Sequence, residues 1–257
     1  MRHEWLAGSV LVFSACTAVP DAYQPPNPLP SSQVSHELWE SVDSVQVRDG
    51  RVDYAGGQRD ARFTTYVASL DQVDPTQLRP QDRLAFWINA YNAFAVKGIL
   101  DGYSPATLWG RYRYFIGREY QVGGRSLNLY DLERSILIAQ FHELRMHFAI
   151  VCASASCPKL QPWAYDGRQL DAQLEQVTRE FINDPTRNRF DPATRTAHLS
   201  MIFKWFEQDF ASHSGSVIEF VRKYVEDVPV KEELQKQPYR IVYLDYDWGL
   251  NGPAPQR

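Results

Sequence analysis

Nothing in the sequence is long and apolar enough to span a bilayer, which takes about 20 consecutive apolar residues. Charge of one sign is also missing. The formal net charge is -4, and Lys and Arg cluster on no segment, so the footprint of a nucleic-acid binder is absent. RNP-like, zinc-finger and P-loop patterns do not occur. There is no HExxH, and His142 and His147 lack the spacing of a zinc site. No metal and no organic cofactor is implied. Cysteine is scarce, with three in 257 residues: Cys16, Cys152 and Cys157. What the chain does hold is apolar surface, since hydrophobic residues make up 44% and aromatic residues 13% of it. That is enough for a substantial core.

The N-terminus has the layout of a secretory signal peptide. Arg2 and His3 precede an uncharged run over 6–13, and the small residues Ser14 and Ala15 lead to Cys16. Val12-Phe13-Ser14-Ala15-Cys16 resembles a bacterial lipobox, whose cysteine becomes the lipidated first residue of the mature protein. The alternative is a plain signal peptide with Cys16 incidental. Residues 17–33 carry Pro20, Pro25, Pro26, Pro28 and Pro30 and read as an extended spacer. The expectation is an exported, periplasmic protein that meets a membrane only through a lipid on Cys16. Residues 34–251 would form a single globular domain, and 252–257 a flexible tail.

Within that domain, Leu38, Val42 and Val45 share a helical face and place a helix over 35–45. Asp49-Gly50 between two short β-prone segments predicts a hairpin over 47–52, because Asp-Gly supplies the positive φ angles of a type I′ turn. A second hairpin is expected over 120–127, broken by Gly123-Gly124. Helices are expected over 61–70, 83–100, 129–141, 170–182, 202–210 and 217–225. Pro80 opens the approach to the 83–100 helix at a position where its missing N–H costs nothing. In the 83–100 helix Phe86, Trp87, Ile88, Tyr91, Phe94, Val96 and Ile99 point in all directions, which marks it as central and buried. Short strands are expected over 147–151 and 240–244. Helices outnumber strands, so the fold class is α+β (mixed α/β), a small sheet surrounded by predominantly helical structure.

Several signatures follow one another in a recognisable order. They are Asp49-Gly50-Arg51-Val52-Asp53-Tyr54, the run from Leu84 through Trp87-Ile88-Asn89-Ala90-Tyr91-Asn92 to Ala93, and Asp131-Leu132-Glu133. His147-Phe148-Ala149, Cys152 with Ser156-Cys157-Pro158, and Asp245-Tyr246-Asp247-Trp248-Gly249-Leu250-Asn251 complete the series. Together they resemble the domain of unknown function 547 family over nearly all of residues 36–251. The resemblance implies no defined activity. Arg134 departs from the pattern, where a His commonly follows the Glu.

Cys157 leaves the expected strand within a stretch of small residues. Pro158 as the first residue of a helical turn would put Cys157 at its N-cap, where backbone N–H groups favour a thiolate. His147 is the nearest candidate base, although a strand of about 3.3 Å per residue would place it roughly 16 Å from Cys152. The other reading of the two cysteines is a Cys152–Cys157 disulfide, which a turn permits and an exported location favours. Asn89 and Asn92 share one side of an apolar helix, where they either pin backbone or orient a base. Asp245 and Asp247 point to one face, where they could orient His147, bind a cation or close a turn with Asn251, and Asp247 is the candidate to orient His147. Asp131 and Glu133 read as helix N-terminal charge.

Two functions are compatible with these residues. One is a cell-envelope hydrolase or acyl/thiol transferase with Cys157 as nucleophile, His147 as base and Asn89, Asn92 or Asp247 orienting it. The other is a non-catalytic envelope binding module with a structural Cys152–Cys157 disulfide. In either, the partner is a small molecule or peptide ligand and not a nucleic acid.

Overall fold

The computed structural model describes residues 34–255. The signal-like segment, Cys16 and the Pro-rich spacer lie outside the described residues. α1 (Glu37–Gln46) runs into a hairpin of β1 (Val47–Arg48) and β2 (Arg51–Val52). Asp49 and Gly50 hold φ angles of 48° and 76°, the pair of left-handed conformations that a type I′ turn requires. The turn fixes the register, Val47 opposite Val52. α2 (Tyr54–Gln58) and α3 (Ala61–Ser69) follow. Each is opened by an aspartate that accepts a backbone N–H, Asp53 from Gly56 and Asp60 from Arg62. Trp39 stacks on Tyr66 at 5.7 Å and joins α1 to α3.

α4 (Pro80–Leu100) is the axis of the molecule, buried along almost its whole length from Leu84 to Ile99. α5 (Leu108–Phe115), which sequence periodicity did not indicate, packs near its C-terminal end and leads to the hairpin of β3 (Tyr120–Val122) and β4 (Arg125–Leu127). The helix expected over 129–141 is present in three pieces. α6 (Leu129–Asp131) and α7 (Ala139–Phe141) flank a π-helical stretch, Leu132–Ile138. Such wide turns recur at functional sites.

The strand expected over 147–151 is not formed. A 3-10 helix, Leu144–Phe148, occupies its start. Residues Met146 through Val151 are buried, and an apolar run covered on all sides has no exposed face to distinguish the two periods. The Glu143 carboxylate accepts the Arg145 N–H at 3.0 Å and starts the helical turn.

α8 (Leu170–Asn183), β5 (Arg189–Asp191) and β6 (Thr196–Leu199) come next. After them come α9 (Met201–Trp205), α10 (Glu207–Ser214), α11 (Val217–Tyr224), α12 (Val228–Lys236) and β7 (Arg240–Tyr243). The single helix expected over 202–210 is broken at Phe206, the hinge between α9 and α10. β6 pairs antiparallel with β5 and parallel with β7. The fold is α+β, with two hairpins and this three-stranded sheet among helices. Phe148, Phe181, Phe210 and Phe220 fuse the second half into one core, with ring centroids 4.9 Å apart for Phe148–Phe181 and 4.8 Å for Phe210–Phe220. No helix among the described residues is long and apolar enough to cross a membrane.

Candidate functional site

α4 organises the site by clamping two loops. The Asn89 amide donates to Tyr165 O at 2.8 Å, and its oxygen accepts the Tyr165 N–H at 2.9 Å. Asn92 makes the same paired contact to Ala149 O and Val151 N–H, both at 2.9 Å. Each side chain acts as a strand partner for otherwise unpaired backbone. Both amides are therefore spent on backbone; neither meets His147, and neither lines the cleft described below. Asn92 instead fixes the chain immediately ahead of Cys152.

Beyond Val151 the chain folds back through Ala153, whose φ is 60°. The Cys157 N–H donates to Ser154 O at 3.1 Å, and a disulfide joins Cys152 to Cys157. The helical turn expected at Pro158 is absent, so no helix N-terminus acts on Cys157. The C-terminal segment lies along this loop. Ala155 N–H donates to Gly249 O at 2.6 Å, Ser156 N–H to Asp247 O at 3.1 Å and Asn251 N–H to Ala153 O at 3.1 Å. Asn251 in turn accepts the buried Tyr54 hydroxyl at 2.6 Å.

Asp247 is exposed and closes its own turn, accepting the Gly249 N–H at 2.8 Å. It does not orient His147. Asp245 is exposed as well. The same alternation turns Tyr246 and Trp248 the other way, onto a cleft of about 340 Å³. Its walls are aromatic, built from Tyr91, Tyr112, Phe115, Tyr130, Trp205, Phe206, Tyr246 and Trp248, and both disulfide cysteines line it. The Tyr246 hydroxyl is the polar centre of this wall. It donates to Cys157 Sγ at 3.2 Å, lies 3.2 Å from Cys152 Sγ and accepts from Ser154 Oγ at 3.0 Å. Burial pushes its pKa up to about 12, against the opposing Ser154 hydrogen bond, so it stays a donor at neutral pH. The Cys152 N–H also donates to Cys157 Sγ, at 2.9 Å. Cys157 is 4% exposed, whereas Cys152 is half-buried.

Glu133 enters the cleft from the π-helical stretch. Burial raises its carboxyl from 4.5 to about 7, outweighing the Arg134 guanidinium and a Tyr91 hydroxyl 3.5 Å away. It stands in the first turn of the π-helical stretch, as expected of a helix N-terminal acid, but burial holds it partly protonated near neutral pH. His147 also lines the cleft, buried with its ring 4.1 Å from that of Phe206. Its Nε2 is 3.1 Å from Asp209 Oδ2, and Nδ1 has no protein partner. Burial lowers the His147 pKa more than Asp209 raises it. The imidazole is therefore neutral and donates Nε2–H to an ionised Asp209. Asp209, not Asp247, orients it, and no hydrogen bond links His147 to either sulfur.

Residues 75–182 match the model of a family described as a protein of unknown function, DUF547. The matched segment holds α4, Arg111, Glu133, Arg134, His147 and both cysteines, but not the motifs at 49–54 and 245–251. The cleft's other wall, with Trp205, Tyr246 and Trp248, therefore comes from outside it. No curated protein and no solved structure matches the chain.

Asp245 and Asp247 draw attention in the sequence, whereas the alternating Tyr246 and Trp248 are the pair that reaches the cleft. The strict alternation was visible, and the aromatic half of it was the signal. Glu133 reads from sequence only as helix N-terminal charge, and nothing in the sequence places it in a cleft. Asp209, Trp205 and Arg111 carried no motif that could have singled them out.

Proposed function

We propose that the protein is a thiol transferase, exchanging thiols and disulfides of a small compound held in the aromatic cleft through Cys152 and Cys157. The observation that carries the reading is the place of the disulfide. Both cysteines line the cleft, and the sulfur of Cys157 faces two donors, the Cys152 N–H and the Tyr246 hydroxyl. Two donors of this kind stabilise a departing thiolate. A structural staple explains the bridge less well. Closing so short a loop restrains the unfolded chain by only roughly 2 kcal/mol, and Asn92 and the C-terminal segment already hold the loop. The signal-like residues 1–16 add support, since an exported site is one where a disulfide persists.

In the exchange, an entering thiol gives its proton to Glu133 and attacks Cys152 Sγ, the less buried sulfur. The new S–S bond forms as the Cys152–Cys157 bond breaks, and Cys157 leaves as a thiolate. A second thiol attacks the substrate sulfur and releases Cys152. Two substrate thiols are oxidised to a disulfide, and the protein disulfide is reduced to two thiols that take up the protons. A second disulfide compound reoxidises the pair by the reverse steps.

Equilibration of the full chain with glutathione buffers tests this. Exchange proteins have potentials between about -270 and -120 mV, whereas structural disulfides fall below about -300 mV. A value in the first range is expected. One in the second would make the bridge a staple and the cleft that of a non-catalytic binding module.

A further inference from the structure

Arg111 and Arg134 line the cleft without a contacting ion pair among the described residues, although the Arg134 charge acts on the nearby carboxyls of Glu133 and Asp209. Some arginines elsewhere are spent on ion pairs, such as Arg118 with Asp101, Arg145 with Glu143 and Arg222 with Glu219, and others lie over aromatic rings outside the cleft, as Arg83 does over Phe141 and Arg113 over Tyr103. What sets Arg111 and Arg134 apart is that they lie over aromatic faces inside the cleft that holds the disulfide. The Arg111 guanidinium carbon is 4.5 Å from the Trp248 ring centre, and that of Arg134 is 4.6 Å from the Phe206 ring centre. Stacking fixes a guanidinium plane while leaving its in-plane N–H edge free, the edge that pairs with a carboxylate or similar anion. α5, which carries Arg111, contains no acidic residue. Glu133 is the one carboxylate side chain among those lining the cleft, and its burial keeps it partly protonated near neutral pH.

The aromatic contacts connect this charge to the disulfide. Arg111 lies on Trp248, Trp248 is 4.7 Å from Tyr246 between ring centres, and the Tyr246 hydroxyl meets both sulfurs. A flat ring bound against these walls would present sulfur at one end and an anion at the other. We infer that the cleft selects thiols and disulfides whose sulfur is carried on a flat apolar body bearing an anionic group, which Arg111 and Arg134 hold. This rests on the exchange reading and names its substrate class. The chemistry is the exchange already written, with the anion unchanged through it.

Two aromatic disulfides of similar size separate the two claims. Dithiobis(nitrobenzoate) carries a carboxylate on each ring, and dithiodipyridine is neutral at mildly alkaline pH. Full-length protein in a Cys16→Ser background is reduced, desalted and mixed with each reagent in a stopped-flow instrument. Cys152 attacks the reagent and expels one aromatic thiolate, then Cys157 resolves the mixed disulfide and expels the second. Arg111→Gln and Arg134→Gln should each slow the carboxylated reagent about tenfold, the loss of one charge-assisted contact. The neutral reagent should stay within about twofold, since a distant charge changes little in water. Arg113→Gln, on α5 but outside the cleft, should leave both rates unchanged. Equal slowing of both reagents, or slowing of neither, would overturn anion selection while leaving exchange intact. Unmodified protein that reacts with neither reagent faster than the same protein unfolded in denaturant would overturn the exchange reading and this inference with it.

Discussion

Glu133 is held by the fold in a protonation state that the free chain would not keep. Its pKa rises from 4.5 unfolded to about 7 folded because its carboxyl is buried. The folded protein therefore keeps a proton that the unfolded chain releases, and stability present below pH 4.5 is lost as pH rises through 7. A rise of that size corresponds to roughly 3 kcal/mol. Glu133→Gln should flatten the profile, so that denaturant midpoints at about pH 5 and about pH 8 differ less than in the unsubstituted protein. An unaltered difference between the two midpoints would show that Glu133 is not the group responsible. Asn89 is a second case. Its replacement by Leu orphans the buried Tyr165 N–H and C=O, each of which it satisfies, and should cost roughly 2–4 kcal/mol. A midpoint change below about 1 kcal/mol would contradict the clamp. That both asparagines need partners is readable from sequence, because amides on an apolar helix cannot stay unpaired. Which backbone they clamp is not, since Tyr165 and Ala149 are brought to α4 by tertiary packing.

Among the elements, α4 depends on one small residue near its end. A Cβ at Gly98 would lie 2.8 Å from the Tyr114 ring and 2.9 Å from the Tyr120 hydroxyl. Both tyrosines are buried, so neither can move aside at low cost. Gly98→Ala gains about 1 kcal/mol of helix propensity but should still lower the melting temperature, because overpacking costs about 1–3 kcal/mol. A higher melting temperature would mean that α5 and β3 do not press on α4 there. The all-round apolar pattern of α4 and the Asp-Gly hairpin were legible because local rules alone determine them. α5 was not, since Leu108 and Trp109 are exposed at 79% and 68% and its sequence has no buried stripe. β5 and β6 are three and four residues long, too short for a period-2 pattern to register. The 3-10 turn at His147 reads as a strand from sequence because burial on all sides removes the contrast that distinguishes the two.

At the scale of the molecule, the cleft is assembled from segments far apart in sequence. Cys152, Cys157 and Glu133 come from one, Trp205, Tyr246 and Trp248 from another, and the C-terminal segment is bonded to the cysteine loop through Gly249, Asp247 and Asn251. The cysteine pair and its disulfide are legible in the sequence, but the wall that faces them is not, because tertiary packing brings it there. Tyr246→Phe should slow exchange several-fold and leave the fold intact, because it removes a donor to the leaving sulfur but keeps the ring; an unchanged rate would remove Tyr246 from the mechanism. The most direct test of the central claim is to trap the mixed disulfide. In a Cys16→Ser background, Cys157→Ser leaves Cys152 with no internal partner, and Cys152→Ser leaves only the buried Cys157. After incubation with an aromatic carboxylate disulfide, mass spectrometry of the first variant should find the adduct on Cys152 in most of the protein. The second should remain largely unmodified over the same time. Equal labelling of both variants, or of neither, would contradict an exchange site at Cys152–Cys157.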